Sequence, residues 1–128
     1  MSMAVRALRG ATTVDTDSPD EVKKRAGELL VGLLERNDLV ADDLISIILT
    51  ATSDITSVAP AAGIRELGHL DVPLLCVGEM ATEGGLPFCI RIMVHVETEK
   101  DRSELRHLFL RQAVGLRPDL AEDPGPGP

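Results

Sequence analysis

The sequence predicts an α+β domain of two layers, four or five strands with one long helix and one short one. Three observations carry that prediction. Residues 88–97, FCIRIMVHVE, place apolar side chains at every even position, Phe88, Ile90, Ile92, Val94 and Val96, which is the period of a strand with one face on a core. Residues 19–37 carry a helical apolar stripe. Residues 44–49, LISIIL, are a short isoleucine-rich run of the kind found in buried strands. A sheet and an amphipathic helix bury their apolar faces against each other, which leaves the second sheet face for solvent or another subunit.

In chain order, residues 4–9, AVRALR, read as a short strand that ends at a turn, Gly10-Ala11-Thr12-Thr13. The long helix opens on Ser18-Pro19-Asp20-Glu21, an N-cap serine, a proline at the first helical position and a glutamate placed for a capping box. Val22, Ala26, Leu29, Leu30, Leu33 and Leu34 form its stripe, and it runs to about Asn37. Residues 60–67 suit a helix of two turns that Gly63 weakens. Residues 73–77 are a second buried strand, and 79–87 a polar loop with glycines. After the strand at 88–97, Asp101-Arg102-Ser103-Glu104 cap a helical turn, while residues 107–116 fit a strand or a helix equally well. The domain therefore spans residues 1–117, and residues 118–128, ending EDPGPGP, read as a flexible tail with no apolar face.

Composition narrows the function. With 128 residues, 44% hydrophobic and 27% charged, the chain suits a single globular domain. Two Phe and no Trp or Tyr mean an aliphatic core, which buries less area per residue and makes subunit association plausible. Thirteen basic against 21 acidic residues give a net charge of −8, which opposes binding to nucleic acid or an anionic membrane. The N-terminus has no signal-peptide core, and no run approaches the ~18 apolar residues of a spanning helix. Cys76 and Cys89 sit in apolar, strand-like contexts and read as reduced thiols of a cytoplasmic protein.

No phosphate-binding loop, dinucleotide fingerprint or HExxH motif is present. His69, His95 and His107 have no metal-like spacing with the cysteines, and nothing in the sequence sets an activating base beside Cys76. Neither a metal nor a cofactor is expected. Arg91 is the anomaly: a permanent charge near the middle of a well-patterned strand, on the face away from the apolar one. Arg9, Arg91 and Arg117 lie at ends or middles of expected strands, and Arg65 on the short helix. Singly, each reads as a solvated or ion-paired surface residue. Together, beside Glu79 and Cys76, they suit a cationic pocket for a small polyanion, because arginine holds carboxylates through paired hydrogen bonds.

The blocks RGATTV (9–14), IREL (64–67), CVGEM (76–80), GGLPFCIR (84–91) and LRPDL (116–120) resemble, in order, those of the monofunctional chorismate mutases of the AroH class. The resemblance implies a homotrimer in which each subunit contributes a mixed five-stranded sheet with helices on one face. The sheets would meet in a pseudo α/β-barrel, with active sites in clefts between neighbouring subunits. It also implies that residues near 107–116 are a strand. The implied reaction is the cofactor-free Claisen rearrangement of chorismate to prephenate, in the phenylalanine and tyrosine branch of the shikimate pathway.

By the same resemblance Arg91 contacts the ether oxygen and a carboxylate, Arg9 binds a carboxylate, and Glu79 accepts a hydrogen bond from the ring hydroxyl with Cys76 close by. Arg65 would come from the adjacent subunit, and Leu116 and Arg117 from a C-terminal segment that folds over the site. The chain departs from the family at Ala59 and Ala62, where an aromatic residue and a lysine are common. Phe109 stands where tyrosine is common, and Leu75 where a polar residue is common. The competing reading is a noncatalytic trimeric module that binds another small carboxylate in the same cleft.

Overall fold

The alternating segment becomes the centre of the sheet. The structure, a computed structural model, describes residues 2–68 and 71–115. Its elements are β1 (Ala4–Thr13), α1 (Pro19–Arg36), β2 (Leu44–Ala51), α2 (Ala61–Arg65), β3 (Leu74–Gly78), β4 (Cys89–Thr98) and β5 (Leu108–Phe109). The strand order is β3-β2-β4-β1-β5. β4 runs antiparallel to both β1 and β2, while β2 pairs with β3 and β1 with β5 in parallel, so the five-stranded sheet is mixed. Among the described residues no helix is long and apolar enough to cross a membrane.

The even-numbered side chains of β4, Ile90, Ile92, Val94 and Val96, are buried. They join Leu8, Ile47 and Leu49 from neighbouring strands and Val22, Ala26, Leu29, Leu30 and Leu33 from the stripe of α1 in one core. Each fully buried aliphatic side chain of this size stabilises the fold by roughly 1.5–3 kcal/mol. Among the described residues the opposite face has a small buried apolar cluster, Ala11, Cys89, Phe109 and Ala113. The helix side therefore holds the domain together and leaves the other face available for polar side chains.

Local chemistry departs from the sequence reading at five places. β3, expected to be a buried strand, is an edge strand of the sheet with Leu75 and Val77 exposed, because only its other face meets the core. β1 does not turn at Gly10: residues 10–13 continue the strand, paired with Ile92, Arg91, Ile90 and Cys89. A Cβ on Gly10 would lie 2.9 Å from the Leu108 carbonyl oxygen and 3.1 Å from Leu29 Cδ1, so the glycine admits β5 and α1 rather than a bend. Ser18 Oγ accepts the Glu21 N–H at 3.2 Å, as an N-cap should, but Glu21 reaches the Asp15 N–H and Arg25 instead of closing a capping box.

Residues 107–116 do not form one long strand. β5 covers two residues, Arg111 turns the chain with φ +55° while pairing with Asp15, and a 3-10 helix follows at Arg111–Gly115. Finally, Cys76 does not share a face with Arg91. It pairs in register with the buried Leu49 and packs against the helix-side core, because side chains alternate along β3.

The end of α1 is tied to the chain after β4 by Asn37, which is fully buried. Its amide donates to the Leu33 and Arg106 carbonyls and accepts the Arg106 N–H at 2.7 Å, so a buried polar group satisfies three backbone groups at once. The expected tail, 118–128, lies outside the described residues.

Candidate functional site

Register decides which charges meet. Ala11 of β1 and Thr50 of β2 flank Arg91 on either side, and Arg9 lies opposite Met93. By strand alternation Arg9, Thr50, Arg91 and Met93 share the face without helices. Glu79 follows β3 directly, and its N–H donates to the Ala51 carbonyl at 2.9 Å, which extends the parallel pairing of β3 with β2 by one residue. Its carboxylate then lies beside Arg91. Thr50 Oγ1 donates to Glu79 Oε2 at 2.8 Å, and Arg91 Nε stands 3.0 Å from the same oxygen.

That Arg91–Glu79 contact is an ion pair without an aligned hydrogen bond. Nε is sealed from solvent yet has no hydrogen-bond partner, although the Arg91 side chain as a whole is 33% exposed. Glu79 thus holds the cation at its inner end while the remainder opens outward. The opening is a cleft of about 430 Å³ lined by Arg9, Ile48, Thr50, Glu79, Arg91 and Met93, among others. A smaller hollow of about 180 Å³ lies across the Arg91–Glu79 pair, bounded by Thr52, Asp54, Thr82 and Leu86. Another hollow, of about 470 Å³ between α1 and α2, contains none of the site residues expected from the sequence.

Three of the expected residues, Arg9, Glu79 and Arg91, therefore converge within one chain. Leu75 is exposed on the same face, in register with Ile48 of the cleft. Phe109 packs with Ala11, Cys89 and Ala113 on the same sheet face, beside the cleft rather than lining it. Cys76 faces the other way. Arg65 ends α2 in the helix layer and does not line the cleft. Leu116 and Arg117 lie outside the described residues.

Residues that the sequence reading passed over also converge here. Thr50 orients Glu79, and Thr52 and Asp54 hold the start of β4. Their signal was a run of hydroxyls and a carboxylate, TATSD, closing an otherwise apolar strand.

Cys89 is not a nucleophile of this site. Burial pushes its thiol up to about 11, against the opposing pull of the Arg91 charge. The raised value has a consequence for stability. The unfolded thiol loses its proton near 9 while the folded one keeps it, so stability is fully present below pH 9 and falls as pH rises towards 11. Denaturant titrations across pH 8–11 should show this loss, and Cys89→Ala should flatten it. An unchanged slope in the variant would assign the loss to other groups.

Residues 5–120 match the family described as chorismate mutase type I. The chain is 41% identical over 120 residues to the chorismate mutase AroH of Bacillus subtilis (strain 168), covering 93% of this chain and 94% of that protein. It is 41% identical over 117 residues to the chorismate mutase AroH of Thermus thermophilus, covering 91% and 96%. Its fold is similar to that of a chorismate mutase from Clostridium thermocellum, with a TM-score of 0.82 at 41% identity over 84% of this chain and 96% of the other.

Proposed function

The chain belongs to the type I chorismate mutases and is an isomerase of that activity, and from that premise we propose how it rearranges chorismate to prephenate. The observation that carries the proposal is the convergence of Arg9, Glu79 and Arg91 on one cleft, with Arg91 held at its inner end by Glu79. Chorismate is a dianion with an enol ether. During rearrangement the ether C–O bond breaks as a C–C bond forms, and negative charge builds on the ether oxygen. Arg91 places its cation at that oxygen, Arg9 holds a carboxylate, and Glu79 accepts from the ring hydroxyl. Holding the folded, chair-like conformer and stabilising the developing charge are the two contributions asked of the protein. No proton transfer and no covalent intermediate are needed.

The cleft is open on its sheet face, and the proposal completes it with a second subunit. Val5, Leu75, Val77 and Met80 expose apolar side chains there, which a second subunit would cover. We propose a trimer of such sheets in which Arg65 enters the neighbouring subunit's cleft, with Leu116 and Arg117 closing over it, Leu75 and Phe109 shaping its walls, and Cys76 supporting β3 from behind. The enzyme would work in the cytoplasm, in the phenylalanine and tyrosine branch of the shikimate pathway.

Incubation of the purified protein with chorismate, followed by loss of its ultraviolet absorbance, tests the reaction. Loss no faster than the spontaneous rearrangement would sink it and would favour a carboxylate-binding module. Arg65→Ala is expected to raise KM with little change in kcat, as for a group that binds substrate and transition state equally. Mixed trimers of Arg65→Ala and Arg91→Ala chains should regain part of the activity that each homotrimer lacks. A mixture with no recovery would confine the site to one chain.

A further inference from the structure

The start of β4 is held in an unusual way. Phe88, the residue before the strand, has φ +51°, a conformation that a bulky residue adopts only when its surroundings impose it. What imposes it is Asp54, whose two carboxylate oxygens accept the Phe88 N–H at 3.1 and 3.0 Å. Thr52 completes the clamp. Its hydroxyl donates to Asp54 Oδ1 and accepts the Cys89 N–H at 3.0 Å, and its own N–H donates to the Cys89 carbonyl at 3.0 Å.

The clamp lies two residues from Arg91 and continues the stretch of β2 that anchors Glu79 through Thr50 and the Ala51 carbonyl. Arg91 and Glu79 are thus referred to one short segment, residues 50–54. Asp54 also lines the hollow that Arg91 and Glu79 border, so the clamp and the cation it would steer share one cavity.

We infer that Asp54, acting through Thr52 and the backbone of Phe88 and Cys89, is a positioning residue that sets the Arg91 guanidinium at the ether oxygen. The inference rests on Arg91 being the catalytic cation. Without the carboxylate, Phe88 relaxes to negative φ, the first residues of β4 rotate, and Arg91 loses its alignment while its charge remains. A misplacement on the order of 1 Å in a group that acts on the transition state can cost ~100-fold.

The test compares Asp54→Ala, Asp54→Asn, Arg91→Lys and the double variant Asp54→Ala/Arg91→Lys, with Arg91→Ala alongside. Asp54→Ala should lower kcat by about 10- to 100-fold with KM within about threefold. Asp54→Asn keeps one acceptor for the Phe88 N–H and should recover to within about fivefold of the parent. Adding Asp54→Ala to Arg91→Lys should cost less than about threefold, because a displaced cation cannot be displaced twice.

Full multiplication of the two losses, or Asp54→Ala within about threefold of the parent kcat, overturns the inference. The Arg91→Ala control separates the two readings: a small effect there removes Arg91 from the chemistry, whereas a large effect with a neutral Asp54→Ala removes only the positioning role. If Asp54→Ala does not fold, Thr52→Val takes its place. It keeps shape, loses the hydroxyl, and should lower kcat by about 5- to 20-fold with the same lack of additivity, and an unaltered kcat overturns the inference.

Discussion

Arg91→Ala should lower kcat by more than about 1,000-fold while the protein stays folded. Loss of one neutral donor to a developing oxyanion costs about 2.7–4 kcal/mol in a preorganised site, and a full charge at the ether oxygen should exceed that. The structure supplies the preorganisation: Glu79 holds the sealed Nε at 3.0 Å, and Thr50 fixes Glu79 in turn. Arg91→Lys keeps the charge but not the planar fork, so its kcat should fall between the two. Steady-state kinetics on chorismate read both variants. Arg91→Ala within tenfold of the parent kcat would mean that the cation is not used in the transition state. The stability cost should be modest by comparison, because Arg91 is one-third exposed and Glu79 retains its bond from Thr50.

How much of this was written in the sequence differs between backbone and site. Periodicity alone assigned β4, β2 and α1, since each buries one face in the same core, and it located β3 but not its exposure, since a strand's place at the sheet edge is set by tertiary pairing. It could not tell that residues 10–13 continue β1, because a glycine that admits two neighbours looks in sequence like one that bends the chain. Nor could it resolve residues 107–116, where a positive φ at Arg111 breaks a pattern that the side chains alone would let continue. In the site, alternation along β4 placed Arg91 on the face without helices, but grouping Cys76 with it was wrong, since register across β2 and β3 is a tertiary property. The roles of Glu79 and Arg9 came from the resemblance to the family. The roles of Thr50 and Asp54 came only from hydrogen bonds.

Gly63→Ala should destabilise the protein even though it puts a better helix former into a helix. In sequence this glycine reads as a weakness of α2, worth about 1 kcal/mol against alanine. In the fold it is where α2 touches α1: a Cβ would lie 2.3 Å from the Lys23 carbonyl oxygen and 2.8 Å from Lys23 Cα. Both are backbone atoms of the first turns of α1, which also carry the buried Val22 and Ala26, so neither can yield without moving the core. Gly27 keeps the opposite side of the contact small, with space for a Cβ 3.7 Å from the Gly63 carbonyl oxygen. Overpacking of a tight contact costs about 1–3 kcal/mol and here meets rigid backbone, so the clash outweighs the gain in helix propensity. We expect a net loss of about 2 kcal/mol, read as a fall in Tm of ~5–10 °C. Gly78→Ala is the control, since its Cβ would meet nothing within 4 Å. Because α2 presents Arg65, the folded Gly63→Ala enzyme should also show a higher KM than the parent, with kcat less affected. A Tm equal to or above the parent's would mean that the helices separate freely, and that Arg65 is not held in place by this contact.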